Sequence, residues 1–305
     1  MNRLRAKLDA YLQENNITTK INLYFTSYME TEELPVYKNS SGEWTANAPE
    51  VICNEGVGIM FAPIYANFTQ SIYADANKET YDRLQSLTAL TDRVLVWTYA
   101  CYYEEYFAPF DTFTYMQDWF QAIVENGGIY LFNQGMQDQG NSSQFDLLRQ
   151  YLVSKLAWNV DADIDALTDE FFEGYFGKAK LPMRQIYNEL RERMRYNYDT
   201  LKMPSNTSAK SCYYETQYWP KDLLLKWKRL IDEAYELAGN NETLKERILL
   251  ESIFIRYYLL KIYPETVKNL TEEKTQLIAD AKSVGIARAS SHRTIDELFK
   301  SNYDI

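Results

Sequence analysis

Histidine is nearly missing from this chain: of 305 residues, only His292 is one. No Ser-His-Asp triad can be built unless His292 serves it, and a multi-histidine metal site is excluded. His292 itself lies in the basic stretch RASSHRT, which reads as an exposed loop with no catalytic role. Cysteine is scarce as well. Cys53, Cys101 and Cys212 are widely spaced and form no C-x-x-C pair, so neither a disulfide framework nor a zinc site is expected. The 11 glycines build neither G-x-G-x-x-G nor a P-loop, which removes the main support for a nucleotide-binding sheet. No apolar run approaches the roughly 18 residues of a spanning helix. The opening MNRLRAKLDAYLQENN reads as a charged amphipathic helix without the apolar core of a signal peptide, so a soluble chain of undetermined compartment is expected. Clustered cations are also lacking. A balance of 32 Lys+Arg against 43 Asp+Glu gives −11, which argues against nucleic acid and anionic membrane surfaces as partners.

What the chain has in plenty is tyrosine: 26 of them, with 14 Phe and 6 Trp. A flat apolar ring with a polar edge suits stacking on the C–H faces of sugars while hydrogen-bonding their hydroxyls. The stretch RVLVWTYACYYEEYFAPFD, residues 93–111, concentrates the pattern. It begins as a buried strand and ends in Tyr99, Tyr102, Tyr103, Glu104, Glu105, Tyr106 and Asp111. One reading is a sugar-binding ledge at the mouth of a barrel, and the other is a core aromatic cluster beside solvated acids.

The pattern changes near residue 140. Before it, the apolar runs INLYFTSYM (21–29), VGIMFAPIY (57–65), VLVWTY (94–99) and IYLFNQ (129–134) predict four strands. Helical periodicity at 2–15, about 77–91 and about 112–126 alternates with them. Near-continuous apolar strands separated by helices mark a parallel sheet. After residue 140 the pattern is helical: 145–159, 163–177, about 181–201, a helix opened by Pro220 and closed by Gly239, and 242–263. Thr271 is expected to cap the next helix, and Thr294 with Glu297 has capping-box spacing for the last. The alternating Asp161, Asp163 and Asp165 lack the glycine and distal glutamate of a calcium loop, so helix capping is their expected role. The chain thus reads as α/β: about four parallel strands in residues 1–142, then an α-helical region, 143–305. A (β/α)8 barrel needs eight strands, so the first part is either an open sheet or half of a barrel.

Four phrases carry a resemblance: VGIMFAPIYANFTQSIY, LTDRVLVWTYACYYEEYFAPFDTF, MQDWFQAIVENGGIYLFNQG and LLRQYLVSKLAWNVDADIDALTDEFFEGYFGKAKLPMRQIYNEL. They resemble the bacterial family known as domain of unknown function 4838, whose members are similar to barrel glycoside hydrolases of the α-glucuronidase and β-hexosaminidase kind. The run YLVSKLAWNVDAD (151–163) is its most specific part. The resemblance implies that the four strands are the C-terminal half of a (β/α)8 TIM-like barrel whose first half is missing from this chain. It implies O-glycosyl hydrolysis of a glycan, with a non-catalytic glycan-binding or structural module as the alternative. No cofactor or metal is implied. An oligosaccharide is the implied partner. A half barrel has two open edges, so self-association, or pairing with an upstream half of the same protein, is also expected.

In barrel enzymes the ligand sits at the C-terminal ends of the strands. That rule gathers Tyr28 and Glu30, Tyr65 and Asn67, Thr98 to Glu105, and Asn133 to Asp138 on one face. The substrate-binding candidates are Tyr28, Tyr65, Asn67, Trp97, Tyr99, Tyr102, Asn133 and Gln134, and the catalytic candidates are Glu104 and Glu105. Where relatives tend to carry acids, this chain has Tyr65-Ala66-Asn67, Trp97-Thr98-Tyr99 and Phe132-Asn133-Gln134. Amides hydrogen-bond sugar hydroxyls but do not exchange protons near neutral pH, which favours binding over turnover.

Overall fold

The computed structural model describes residues 1–136, 140–203 and 214–300. Asp138 and residues 204–213, between the helix expected at about 181–201 and the one opened by Pro220, lie outside the described residues. The chain divides into two compact units, Met1–Tyr99 with Tyr115–Gln134, and Ala100–Thr114 with Gly135–Ile305.

The first unit is mixed α/β. Its helices are α1 (Asn2–Glu14), α2 (Lys78–Ser86) and α3 (Met116–Glu125), and its strands are β1 (Leu23–Ser27), β2 (Val36–Lys38), β3 (Trp44–Ala46), β4 (Val57–Phe61), β5 (Val94–Tyr99) and β6 (Gly128–Gln134). The four expected strands form one parallel sheet in the order β1-β4-β5-β6. An antiparallel hairpin, β2 with β3, was not expected, because its strands are three residues each and partly exposed. The order steps in one direction without reversing. Right-handed crossovers then place the connections on one face of the sheet. Exposure follows that rule: Val57, Ile59, Phe61, Val94 and Val96 are buried on one face. On the other, Tyr24, Met60, Leu95 and Trp97 are only half-buried and Thr26 is exposed. Gly58 belongs to this second face, where a Cβ would meet the Tyr24 ring at 2.3 Å and the Arg93 carbonyl at 2.6 Å. Only glycine lets the tyrosine lie across the strand.

The second unit is helical: α4 (Asp146–Trp158), α5 (Ile164–Phe176), α6 (Lys180–Asp199), α7 (Lys221–Ala238), α8 (Glu242–Ile262) and α9 (Leu270–Ser283). All six helices lie where the periodicity puts them, within a few residues. Two caps differ from expectation. α9 starts two residues earlier than Thr271 implies, because Asn269 accepts the Glu272 N–H at 3.2 Å. The Thr294–Glu297 capping box exists but opens only a single 3-10 turn, Ile295–Glu297. Asp163 caps α5 by accepting the Asp165 and Ala166 N–H groups, both at 3.0 Å. α8 is buried nearly all round, with Ile248, Ile253, Phe254, Tyr257 and Tyr258 each almost solvent-free, so it is the central member. The excursion 100–114 also belongs here. Tyr106 N–H donates to the Ala289 carbonyl at 2.9 Å, and Ser291 N–H to that of Tyr103 at 2.8 Å.

Candidate functional site

The carboxyl-terminal ends of the parallel strands bring several candidates together in the first unit. Tyr28 follows β1 in an extended conformation, and its N–H donates to the Thr31 hydroxyl across a 3-10 turn, Met29–Thr31. Tyr65 stands on the loop after β4 with 60% of its surface exposed. Tyr99 ends β5 and is 4% exposed, its ring 5.8 Å from that of Phe68, which in turn lies 4.5 Å from Trp119. The hydroxyls sense one another. Tyr28 is held above the usual phenol range by desolvation first, then by Tyr65 and Glu30. Burial raises Tyr99 too, followed by the influence of Tyr28 and Glu32. Tyr28 therefore stands within electrostatic reach of Tyr65 and of Tyr99, and a buried carboxylate within reach of Tyr99.

That carboxylate, Glu32, was not among the expected site residues. It is 4% exposed, just past the 3-10 turn, and its Oε2 accepts from Arg83 Nη1 at 2.9 Å. Desolvation raises its pKa above the ordinary carboxylate value. Arg83 opposes the rise, and Glu79, which Arg83 also contacts at 2.6 Å, adds to it. The available signal was position: METEELP places acids directly beyond a strand end. Only burial distinguishes Glu32 from its exposed neighbours Glu30 and Glu33.

Strand alternation divides the other candidates. Trp97, Tyr99, Phe132 and Gln134 lie on the half-buried face, where Trp97 Nε1 donates to Gln134 Oε1 at 2.8 Å and its ring meets Phe132 edge-on at 4.5 Å. Asn133 points to the opposite face and accepts the Thr98 hydroxyl at 2.9 Å. Asn67 is engaged in shaping its loop. Its side-chain carbonyl accepts the Thr69 N–H at 3.1 Å and hydroxyl at 2.7 Å, and Asn77 clamps its backbone from both sides at 2.8 Å.

Tyr102, Glu104 and Glu105 belong to the second unit. Tyr102 is wholly buried, its hydroxyl 3.2 Å from that of Tyr198 and its ring edge-on to Phe110. Glu105 is also buried and pairs with Arg293 at 3.0 Å, while Tyr257 donates to it at 3.4 Å. Desolvation raises its pKa in spite of these partners and Tyr214. Glu104 is half-buried on the same excursion. Among the described residues, no cluster of three or more His, Cys, Asp or Glu side chains is placed to hold a metal ion. No helix among them is long and apolar enough to cross a membrane. The second unit has a cleft of about 260 Å3, bordered by Leu225, Ile231, Tyr235, Ile255 and Leu259, and none of the candidates lines it.

Residues 43–188 match the family model of the domain of unknown function DUF4838. The matched span runs from the β2–β3 hairpin through the parallel sheet to the middle of α6, and so takes in every strand end of the site except that of β1. No curated protein and no solved structure matches the chain.

Proposed function

We propose that the carboxyl-terminal end of the parallel sheet binds a saccharide, and that the protein is carbohydrate-active in the manner of a glycoside hydrolase. The observation that carries this reading is that Tyr28 lies within electrostatic reach of both Tyr65 and Tyr99, and the buried Glu32 within reach of Tyr99. Tyr65 offers an exposed ring for stacking, and the Tyr28 hydroxyl, held protonated, can donate to a sugar oxygen. Glycosidic cleavage requires a carboxylic acid that keeps its proton near neutral pH to deliver it to the leaving oxygen. Glu32 has the right tendency, since burial favours its protonated form. The resemblance of the strand phrases to the domain of unknown function 4838 family, whose members are similar to barrel hydrolases of the α-glucuronidase and β-hexosaminidase kind, supports the same class of ligand.

Binding without turnover is the second reading, and two observations favour it. Glu32 is tied to Arg83, and the ends of β5 and β6 carry Thr98, Asn133 and Gln134 rather than a second carboxylate. A panel of uronic acid and hexosamine glycosides, assayed for both binding and hydrolysis, tests the proposal. Tyr65→Ala is expected to weaken binding about tenfold, a loss of about 1.4 kcal/mol. Glu32→Gln is expected to abolish hydrolysis while leaving binding within a few-fold. Binding with no hydrolysis by the wild-type chain selects the second reading, and no binding to any glycoside sinks both.

A further inference from the structure

The 260 Å3 cleft of the second unit is built entirely from α7, α8, α9 and the turn that joins the last two. It runs along α8 from Ser252 to Leu260, a length of about 12 Å at the helical rise. α7 returns antiparallel to α8 through a short connection, so the two ends of the cleft differ. At one end Leu225 lies by Leu259, Leu260 and Val267, and at the other Tyr235 lies by Ser252 and Arg256. Ile231 and Ile255 fall between them. In a chain with 15% aromatic residues, Tyr235 is the one ring among the described residues that line this cleft. Thr266, near the aliphatic end, spends its hydroxyl on the Tyr263 carbonyl at 2.7 Å.

The other end keeps donors to spare. Arg256 Nη1 donates to Asp280 Oδ2 at 2.6 Å, which meets the guanidinium charge and leaves further N–H groups of the five it carries. Burial pushes the Tyr235 phenol up to about 12, with Arg256 opposing the rise and Asp280 and Asp232 adding to it. Tyr235 therefore keeps its proton at neutral pH. On the rim, Lys228 and Asp232 pair with each other at 3.1 Å, and Glu273 is exposed.

We infer that this cleft binds an uncharged straight-chain amphiphile, its alkyl chain lying along α8 toward Leu225 and Val267 and its oxygen accepting from Arg256 and Tyr235. An aliphatic cavity of about 150 Å3 already stays dry and takes up benzene. This cleft is larger and elongated, which suits a chain better than a ring. The head is uncharged for an electrostatic reason. An anionic head meets Asp232, Asp280 and Glu273, and a cationic head meets the Arg256 guanidinium, whereas a hydroxyl or carbonyl oxygen accepts from both donors without repulsion. The ligand class is independent of the saccharide proposed for the sheet.

Calorimetric titration of the full chain with 1-hexanol, 1-octanol and 1-decanol tests the assignment. One saturable site is expected, with a dissociation constant on the order of 0.1 mM for octanol. Affinity should rise about fourfold per methylene from hexanol to octanol. Octanoate and octylamine, charged at neutral pH, should each bind at least about tenfold more weakly than octanol, the factor that separates repelled from accepted heads. Two substitutions at half-buried positions locate the site. Leu225→Trp fills the aliphatic end and should abolish octanol binding, and the isosteric Tyr235→Phe should weaken it about fivefold. Both variants should melt as cooperatively as the wild type. No saturable uptake of octanol at about 2 mM, twenty times the expected constant, overturns the inference and leaves the groove to solvent or to a side chain of another protein. Binding that neither substitution changes overturns it too, as does octanoate or octylamine binding more tightly than octanol.

Discussion

Among the described residues Glu251 makes no ion pair, and its carboxylate is engaged with backbone. Its Oε2 accepts the Phe145 N–H at 2.7 Å, and the Gln144 N–H also stabilises it. Gln144 and Phe145 have φ of 66° and 59°, a left-handed pair that non-glycine side chains adopt at a cost of about 1–3 kcal/mol each. The acid therefore holds a strained entry into α4. Desolvation is the largest influence on it and pushes its pKa to about 8. Asp146 adds to the rise, while the two N–H groups and Arg149 oppose it. A folded pKa raised above the unfolded value means that the folded state holds the proton more tightly. The stability this group contributes is then full below its unfolded pKa, near 4.5, and is lost as pH climbs toward about 8. Glu251→Gln keeps an acceptor for Phe145 and removes the titration. Its urea midpoint should fall less than that of the wild type between about pH 5 and about pH 8.5, the window set by linkage. Equal slopes for the two proteins would show that Glu251 does not titrate in that range.

At the scale of elements, α5 offers the cleanest local test, because its cap rests on one side chain. Asp163→Ala removes the acceptor for two N–H groups and is expected to destabilise the protein by about 1 kcal/mol. Asp163→Asn should cost much less, and urea denaturation distinguishes them. If both variants lose the same amount, charge rather than the cap is what matters at this position. This helix was legible beforehand from Asp163 at one end and Gly177 at the other, where the backbone reaches φ 46°. The four parallel strands were legible for a different reason. Strands buried on at least one face need long apolar runs, and VGIMF and VLVWTY stand out from anything a loop would carry. The hairpin was not legible, since three-residue strands with exposed Tyr37 and Lys38 have too few positions to show a period of two. The site was half legible. Tyr28, Tyr65 and Tyr99 follow from the rule that ligands meet strand ends, but Glu32 became visible only when its burial was known. Tyr102 and Glu105 were read as neighbours of Tyr99 because only two residues of sequence separate it from the first of them. Nothing in the local pattern reveals that the chain leaves the sheet at Ala100 to supply another core.

That departure fixes where the second unit begins. Its core is incomplete without residues 100–114: Tyr102, Tyr106, Phe107, Phe110 and Phe113 are all buried there, and Phe113 meets Tyr187 edge-on at 5.3 Å. Arg149 donates to the Phe110 carbonyl at 3.2 Å, and Arg293 finds its carboxylate partner in Glu105 at 3.0 Å. A fragment starting at Gly135 would keep the six helices but lose five buried aromatic side chains. It would also leave Arg293 without its partner, which for a buried pair costs about 3–5 kcal/mol. This fragment should lack a cooperative thermal transition and bind a hydrophobic dye, while retaining helical far-ultraviolet circular dichroism. A synthetic peptide of residues 100–114, added in excess, should restore near-ultraviolet signal and a sharp transition, and the same peptide with Glu105→Ala should restore much less. A fragment that melts sharply without the peptide would mean that the helices form their own core and the excursion merely coats it. Restoration equal with either peptide would assign the effect to the aromatic side chains and leave the Glu105–Arg293 pair neutral, as buried pairs can be when their desolvation cancels their attraction.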